Sequence, residues 1–209
     1  MTPQGTSYAP ARPSLRDLRR DRTRDEIAQA ALELIEARGY GETHVDEIAA
    51  RALISPRTFY RYFPAKEEAF LHGLPAFEAA LGALEGGESE GSLLDDLSSA
   101  GDAFCTEIEE HRSAVLARLP HALDEPALLG QLAYRLYAAE VRLARKLRPR
   151  LAASVSRAWE AEVLAAAVTA SLMAALRRWQ KSPRRMRLKQ LVKQAMAALG
   201  PAVANMDKH

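Results

Sequence analysis

From Thr23 onward the apolar positions recur at helical intervals. Ile27, Ala30, Ala31, Leu34 and Ile35 fall at i, i+3 and i+4, the spacing of one buried stripe. Thr23 with Glu26 three residues later has capping-box spacing and predicts the start of this helix. Gly39 and Gly41 end it. Thr43 is placed to cap a second, short helix, with Asp46 and Glu47 in its first turn and Val45, Ile48, Ala49 and Ala52 inward. Ser55 and Pro56 supply N-cap and N1 of a third helix, because proline there forfeits no helical hydrogen bond. Phe59 and Phe63 lie one turn apart on its inner face, and Pro64 stops it. A fourth helix is predicted over 66–85 with a bend at Pro75, then a loop at EGGESEGS, 85–92. Further helices are predicted over 93–111, 113–119, 125–148, 155–181 and 183–199. Asp124-Glu125-Pro126 and Ser182-Pro183 mark two of the starts. No segment alternates with period two, so the fold class is all-α.

The second and third helices, with a three-residue break, are spaced as a helix-turn-helix. Small Ala49 and Ala52 permit a close crossing, filled by Ile48, Ile54 and Phe59. With Phe59 inward, Arg57, Tyr60 and Arg61 face outward, on a helix that suits a major groove about 12 Å wide. Arg57 is placed to read guanine, and Tyr60 to touch a thymine methyl or a phosphate. Ser55 and Pro56 stand at the helix start. Thr43, Thr58 and Tyr62 offer hydroxyls to backbone phosphates, and Lys66 joins amide groups at the next helix start. On spacing alone, a plain three-helix bundle fits equally well.

Charge shifts that balance toward a polyanion. Residues 1–66 hold 11 basic and 9 acidic side chains, residues 67–141 hold 3 and 15, and residues 142–209 hold 15 and 3. Within the first block the arginines 12, 16, 19, 20, 22 and 24 face only Asp17 and Asp21. Pro3, Pro10 and Pro13 make residues 1–21 a flexible basic arm in this reading, from which Arg20 and Arg22 reach an adjacent minor groove. The alternative is a solvated tail. Residues 22–66 then form the helix-turn-helix domain and 67–209 a helical body.

Composition narrows the class. The chain is 48 % hydrophobic and 27 % charged, the balance of a globular protein. No run of about 18 apolar residues occurs, so no membrane-spanning segment or membrane partner is expected, and the N-terminal stretch lacks a secretory pattern. Cys105 is the single cysteine, which excludes an internal disulfide or a cysteine zinc site. His44, His72, His111, His121 and His209 have no metal-ligand spacing, and neither a nucleophile triad nor a glycine-rich phosphate loop is evident. No cofactor, metal or catalytic residue is expected, and a cytoplasm is the simplest compartment.

Residues 23–70, TRDEIAQAALELIEARGYGETHVDEIAARALISPRTFYRYFPAKEEAF, resemble the DNA-binding domain of TetR-family transcriptional regulators. The resemblance runs through Ile27, Ala30-Ala31, Leu34, Gly39, Thr43, Val45, Ile48-Ala49, Ser55, Thr58-Phe59-Tyr60, Tyr62-Phe63 and Lys66. One departure stands out: the family usually has glycine in the turn, and this chain has Leu53, strained by about 1 kcal/mol at positive φ. The resemblance implies a homodimer on a palindromic operator and a repressor released by a small effector. It also implies that the last two long helices pair between subunits.

For that pairing the candidates are Trp159, Val163, Ala167, Ala170, Ala174, Leu188, Leu191 and Ala195, among small residues that let helices approach. Packing within one subunit is the alternative. The basic face from Arg177 to Lys193 reads as solvated, with a membrane surface or a second nucleic-acid patch as the other readings. For a pocket, the helices over 93–119 and 125–148 offer Phe104, Ile108, His111, Arg118, Tyr134, Tyr137 and Val141. Arg118, Arg135 or Arg142 would hold an acidic head group. Residues 112–148 resemble regulators with acyl-CoA-like ligands. Each aromatic or histidine here reads equally as core. Two other functions stay open: a non-specific nucleic-acid-binding or interaction protein, and an enzyme using the helical pocket.

Overall fold

The computed structural model describes residues 14–75, 81–82, 93–151 and 158–206. All regular structure among them is helical. The chain divides into two compact units between His72 and Gly73, six residues beyond the expected boundary, because the helix that begins at Lys66 packs with the first unit.

In the first unit, α1 (Leu15–Arg38), α2 (Val45–Arg51), α3 (Pro56–Tyr62) and α4 (Lys66–Phe70) surround one core. Ile27, Ala30, Ala31, Ile48, Ala49, Phe59, Phe63 and Ala69 fill it, with Leu34, Val45, Ala52, Ile54 and Tyr62 at its margin. The expected stripe of α1 is therefore the buried one. Its start is corrected: α1 begins at Leu15, not Thr23, so residues 15–21 are helix and not arm. Ser14 makes the capping box with Asp17, its Oγ accepting from the Asp17 N–H at 3.2 Å and donating to the carboxylate at 2.7 Å. Thr23 instead donates back to the Arg19 carbonyl at 3.0 Å. That Ser14 hydrogen bond holds the Asp17 carboxyl below its ordinary value.

The helix expected over 66–85 ends at Phe70, followed by Gly73 at φ 82°. The expected 85–92 loop lies outside the described residues.

The second unit contains α5 (Leu93–Glu110), α6 (Arg112–Asp124), α7 (Pro126–Leu151), α8 (Ala158–Gln180) and α9 (Leu188–Met206). α8 packs between α7 and α9, α9 packs on α5, and α6 lies against α7. Gly101 permits the α5–α9 approach: a Cβ there would stand 3.2 Å from Val192 Cγ1. Three helices run through prolines where the sequence predicts an end, at Pro120, Pro149 and Pro201. A mid-helix proline costs about 3 kcal/mol, but stopping early would leave Ala122 and Leu151, both buried, without their packing.

The start at Ser182-Pro183 is also corrected. Ser182 lies in a turn, its carbonyl accepting from Arg185 at 3.0 Å, and α9 begins at Leu188. The cause is Arg112, which donates to the Pro183 carbonyl at 2.9 Å while its guanidinium lies 4.8 Å from the centre of the buried Trp179 ring.

Among the described residues one helix, Trp159–Gln180, is apolar enough by length and composition to cross a membrane, with mean hydropathy 1.4, contrary to expectation. It packs between α7 and α9 on one side, with less than half of its apolar window buried.

Candidate functional site

Ala52-Leu53-Ile54 joins α2 to α3. Leu53 takes φ 56°, donates its N–H to Ala50 at 3.1 Å, and is followed by Ile54 donating to Ala49 at 2.9 Å. These two bonds are those of a Schellman motif, in which a left-handed residue caps the helix carbonyls. Leucine there costs about 1 kcal/mol or more, and with its side chain 93 % exposed no packing compensates. The turn thus keeps the geometry glycine would give it.

α3 starts as the sequence predicts. Ser55 Oγ accepts from the Thr58 N–H at 3.1 Å, and the two hydroxyls lie 2.9 Å apart. Pro56 follows at N1. Buried Phe59 anchors the inner face, with Tyr60 edge-on to it at 5.5 Å and 57 % exposed. Arg57 and Arg61 are exposed. Arg57 has no ion-pair partner among the described residues, while Arg61 covers the half-buried Tyr62 ring at 5.3 Å. Pro56, Arg57, Tyr60 and Arg61 thus share an open surface, with Ser55 and Thr58 tied at its edge.

Two expected phosphate contacts have other work. Thr43 is buried, its hydroxyl donating to the Gly39 carbonyl at 2.8 Å, where it satisfies the end of α1. His44, not Thr43, is the N-cap of α2, and Glu47 accepts its N–H at 3.0 Å. That bond, with Arg38 at 2.8 Å, holds the Glu47 carboxyl below its ordinary value. Lys66 donates to the carbonyls of Tyr40 and Thr43, each at 2.8 Å, and its ammonium lies 3.9 Å from the Tyr40 ring centre. Tyr40 in turn donates its hydroxyl to Glu67. Lys66 therefore ties α4 to the α1–α2 connection.

Arg20 and Arg22 lie on α1, Arg22 paired with Glu26 at 3.0 Å.

In the second unit the expected pocket residues do not line the cavity. Phe104, Ile108 and Arg118 are buried elsewhere in the packing. His111 is exposed, with Nδ1 2.9 Å from the Glu107 carbonyl. Tyr134 (68 % exposed), Tyr137 and Val141 point outward from α7. A narrow cavity, about 30 Å³, lies where α5, α7, α8 and α9 converge, among Leu97, Ala100, Ala139, Leu143, Val168 and Met196. Among the described residues its one hydroxyl is Thr169, and Arg118, Arg135 and Arg142 are not in its wall. Gly101 inside a helical pattern is the sequence signal for such a close junction.

The expected pairing surface divides. Leu188, 1 % exposed, belongs to the subunit's own core, because α9 packs on both α8 and α5. Leu191, Ala195 and Ala167 are half-buried. Trp159 (61 % exposed), Val163, Ala170 and Ala174 form an open stripe on α8. Among the described residues no group of histidine, cysteine and acidic side chains could hold a metal.

Comparison with known proteins places this geometry. Residues 27–72 match the family model of bacterial regulatory proteins, tetR family. The chain is 36 % identical over 152 residues to the HTH-type transcriptional regulator TcmR of Streptomyces glaucescens, covering 69 % of this chain and 67 % of that one. Its fold is similar to that of Thermus thermophilus FadR, a TetR-family repressor solved with lauroyl-CoA: TM-score 0.57, 20 % identity, covering 84 % and 92 % of the two chains. It is similar too to SmeT, solved with triclosan: TM-score 0.59, 19 % identity, covering 85 % and 91 %.

Proposed function

From the premise that the chain belongs to the TetR family of bacterial regulatory proteins, we propose that it is a homodimeric repressor, released from a palindromic operator by a small lipophilic effector. The observation that carries the DNA-reading part is α3: a short helix with a locked start, a buried Phe59 anchor, and Arg57 and Tyr60 free on the opposite face. An arginine so placed makes the bidentate contact that distinguishes guanine, worth about 1–3 kcal/mol against the wrong base. Two copies on a dimer read two half-sites of a palindrome. Its target being chromosomal DNA, the protein works in the cytoplasm.

The open apolar residues of α7 and α8 support the dimer: Tyr134, Tyr137 and Val141 on one helix, Trp159 and Val163 on its packed neighbour. This moves the pairing surface from the last two helices to α7 and α8. Among the described residues of the cavity wall the one polar side chain is Thr169, which supports an uncharged effector, since a buried carboxylate or phosphate needs a paired cation. The lauroyl-CoA of the Thermus protein and the triclosan of SmeT both carry a large apolar part. Release follows if the effector binds better to the conformation that DNA does not select.

The test is a mobility-shift titration at fixed salt, using DNA upstream of the chain's own gene, scrambled competitor and an Arg57→Ala control. A competitor-resistant shift for wild type, reduced 5- to 150-fold in discrimination by Arg57→Ala, is expected, as about 1–3 kcal/mol implies. Equal binding of both duplexes by wild type overturns the reading in favour of a non-specific nucleic-acid binder.

A further inference from the structure

The buried stripe of α1 does not end where the core ends. Ile27, Ala31 and Ile35 face inward, and the same stripe carried back by three and four residues reaches Thr23, then Arg19 and Arg20, then Arg16. On a helix rising 1.5 Å per residue, Leu15 lies about 18 Å before Ile27. The first two turns therefore project past the packed core with arginine in place of alanine and isoleucine. Across from them stands the end of α3. Arg16, Arg19, Arg20 and Thr23 line one open groove with Arg61 and Tyr62.

The charge in this groove is one-sided. Among the described residues its only acid is Asp17, whose carboxylate accepts from the Ser14 N–H at 3.2 Å and from its hydroxyl at 2.7 Å. Arg22, paired with Glu26, and Arg24, over the Phe63 ring at 4.8 Å, are outside it. Arg16 and Arg19 have no ion pair among the described residues. Arg61 sits one turn after Arg57 on α3, so an anion in the groove lies beside the helix that reads bases.

We propose that the first two turns of α1 are a phosphate clamp, with Arg16, Arg19 and Arg20 gripping the DNA backbone that flanks the groove read by α3. Planar guanidinium forks suit phosphate oxygens. A helix fixed by its Ser14 cap lies along a backbone, whereas the extended arm expected from the sequence would enter a minor groove. The inference rests on the DNA-binding reading above and adds a second contact surface to it.

The experiment uses the full chain, a duplex selected by wild type from random DNA, and the triple variant Arg16→Ala, Arg19→Ala, Arg20→Ala. Log affinity is measured against log salt concentration. Each phosphate that the variant no longer neutralises lowers the slope by about 0.9, so a drop of about 2–3 is expected, with discrimination against scrambled DNA retained. The matching triple lysine variant keeps most of the slope. Alanine favours helix, and circular dichroism checks that the variant melts like wild type. An unchanged slope in a folded variant overturns the clamp while leaving the regulator reading intact. Failure of wild type to bind any duplex overturns both. Because Leu15 and Leu18 are exposed beside the arginines, vesicles with anionic lipid are run alongside. A variant that loses vesicle binding and keeps its DNA slope assigns the groove to a membrane and also overturns the clamp.

Discussion

The first unit is held by polar devices that each have one solution; the second is held by long apolar faces that have several. Ser14 with Asp17, Ser55 with Thr58, and Lys66 beneath two carbonyls fix where α1, α3 and α4 begin. In α5 to α9 leucine, alanine and valine meet across continuous stripes, and the sharpest marker is Arg112 between Trp179 and Pro183. The contrast matches two tasks. Reading a base edge requires a side chain held to within a fraction of an ångström. In the reading proposed above, an effector enters the narrow cavity walled by Ala100, Ala139 and Met196 only as side chains repack, for which methionine is well suited.

The sharpest way to break this comparison is Phe59→Ala, which removes the fully buried ring from the first unit and should cost about 3–5 kcal/mol. Both tryptophans, Trp159 and Trp179, belong to the second unit. Tryptophan fluorescence should therefore keep its wild-type denaturation midpoint while part of the far-ultraviolet dichroism disappears earlier. Coincident transitions would show that the units unfold as one. Next comes Lys66→Ala, which strips two charged hydrogen bonds and should cost about 2 kcal/mol. The salt slope of DNA binding should stay as in wild type; a slope lower by about 0.9 would return Lys66 to the phosphate contacts. Leu53→Gly should stabilise the first unit by up to about 1 kcal/mol, since strain goes and the exposed side chain packs on nothing, and a lowered melting temperature would refute it. The smallest effect lies in the second unit, where burial, reinforced by Asp102, pushes the Cys105 thiol up to about 11. About one thiol in ten thousand is then ionised at pH 7, so a disulfide reagent should label it only through unfolding. The unfolded chain gives up this proton near 9.0 and the folded chain near 11. Its contribution to stability is therefore full below pH 9 and is lost as pH rises through that interval.

Legibility follows the same division. Ser55-Pro56, Phe59 and the α1 stripe are readable because a cap, an N1 proline and an i, i+4 pattern each demand one local structure. Thr43 and Lys66 gain internal partners that the sequence does not show, because a hydroxyl or an ammonium has the same chemistry toward a carbonyl as toward a phosphate oxygen, and only the fold decides which carbonyl is near. Thr23 and Ser14 both begin sequences that can cap; the longer helix wins. In the second unit, Tyr134 and Tyr137 lie on the exposed side of their helix, and a tyrosine with its apolar ring and polar tip reads in sequence equally as pocket lining or as open surface. Pro120 and Pro149 read as ends because their cost is local, while the burial of Ala122 and Leu151 that outweighs it is not.

Leu53 has a consequence for motion. A cost of about 1 kcal/mol multiplies the population of an opened turn about fivefold. The amides of Leu53 and Ile54, bonded to Ala50 and Ala49, are where hydrogen exchange would register it. α3 is thus mounted on a joint that loosens more often than a glycine joint would, so the orientation it gives Arg57 is one state of a small ensemble.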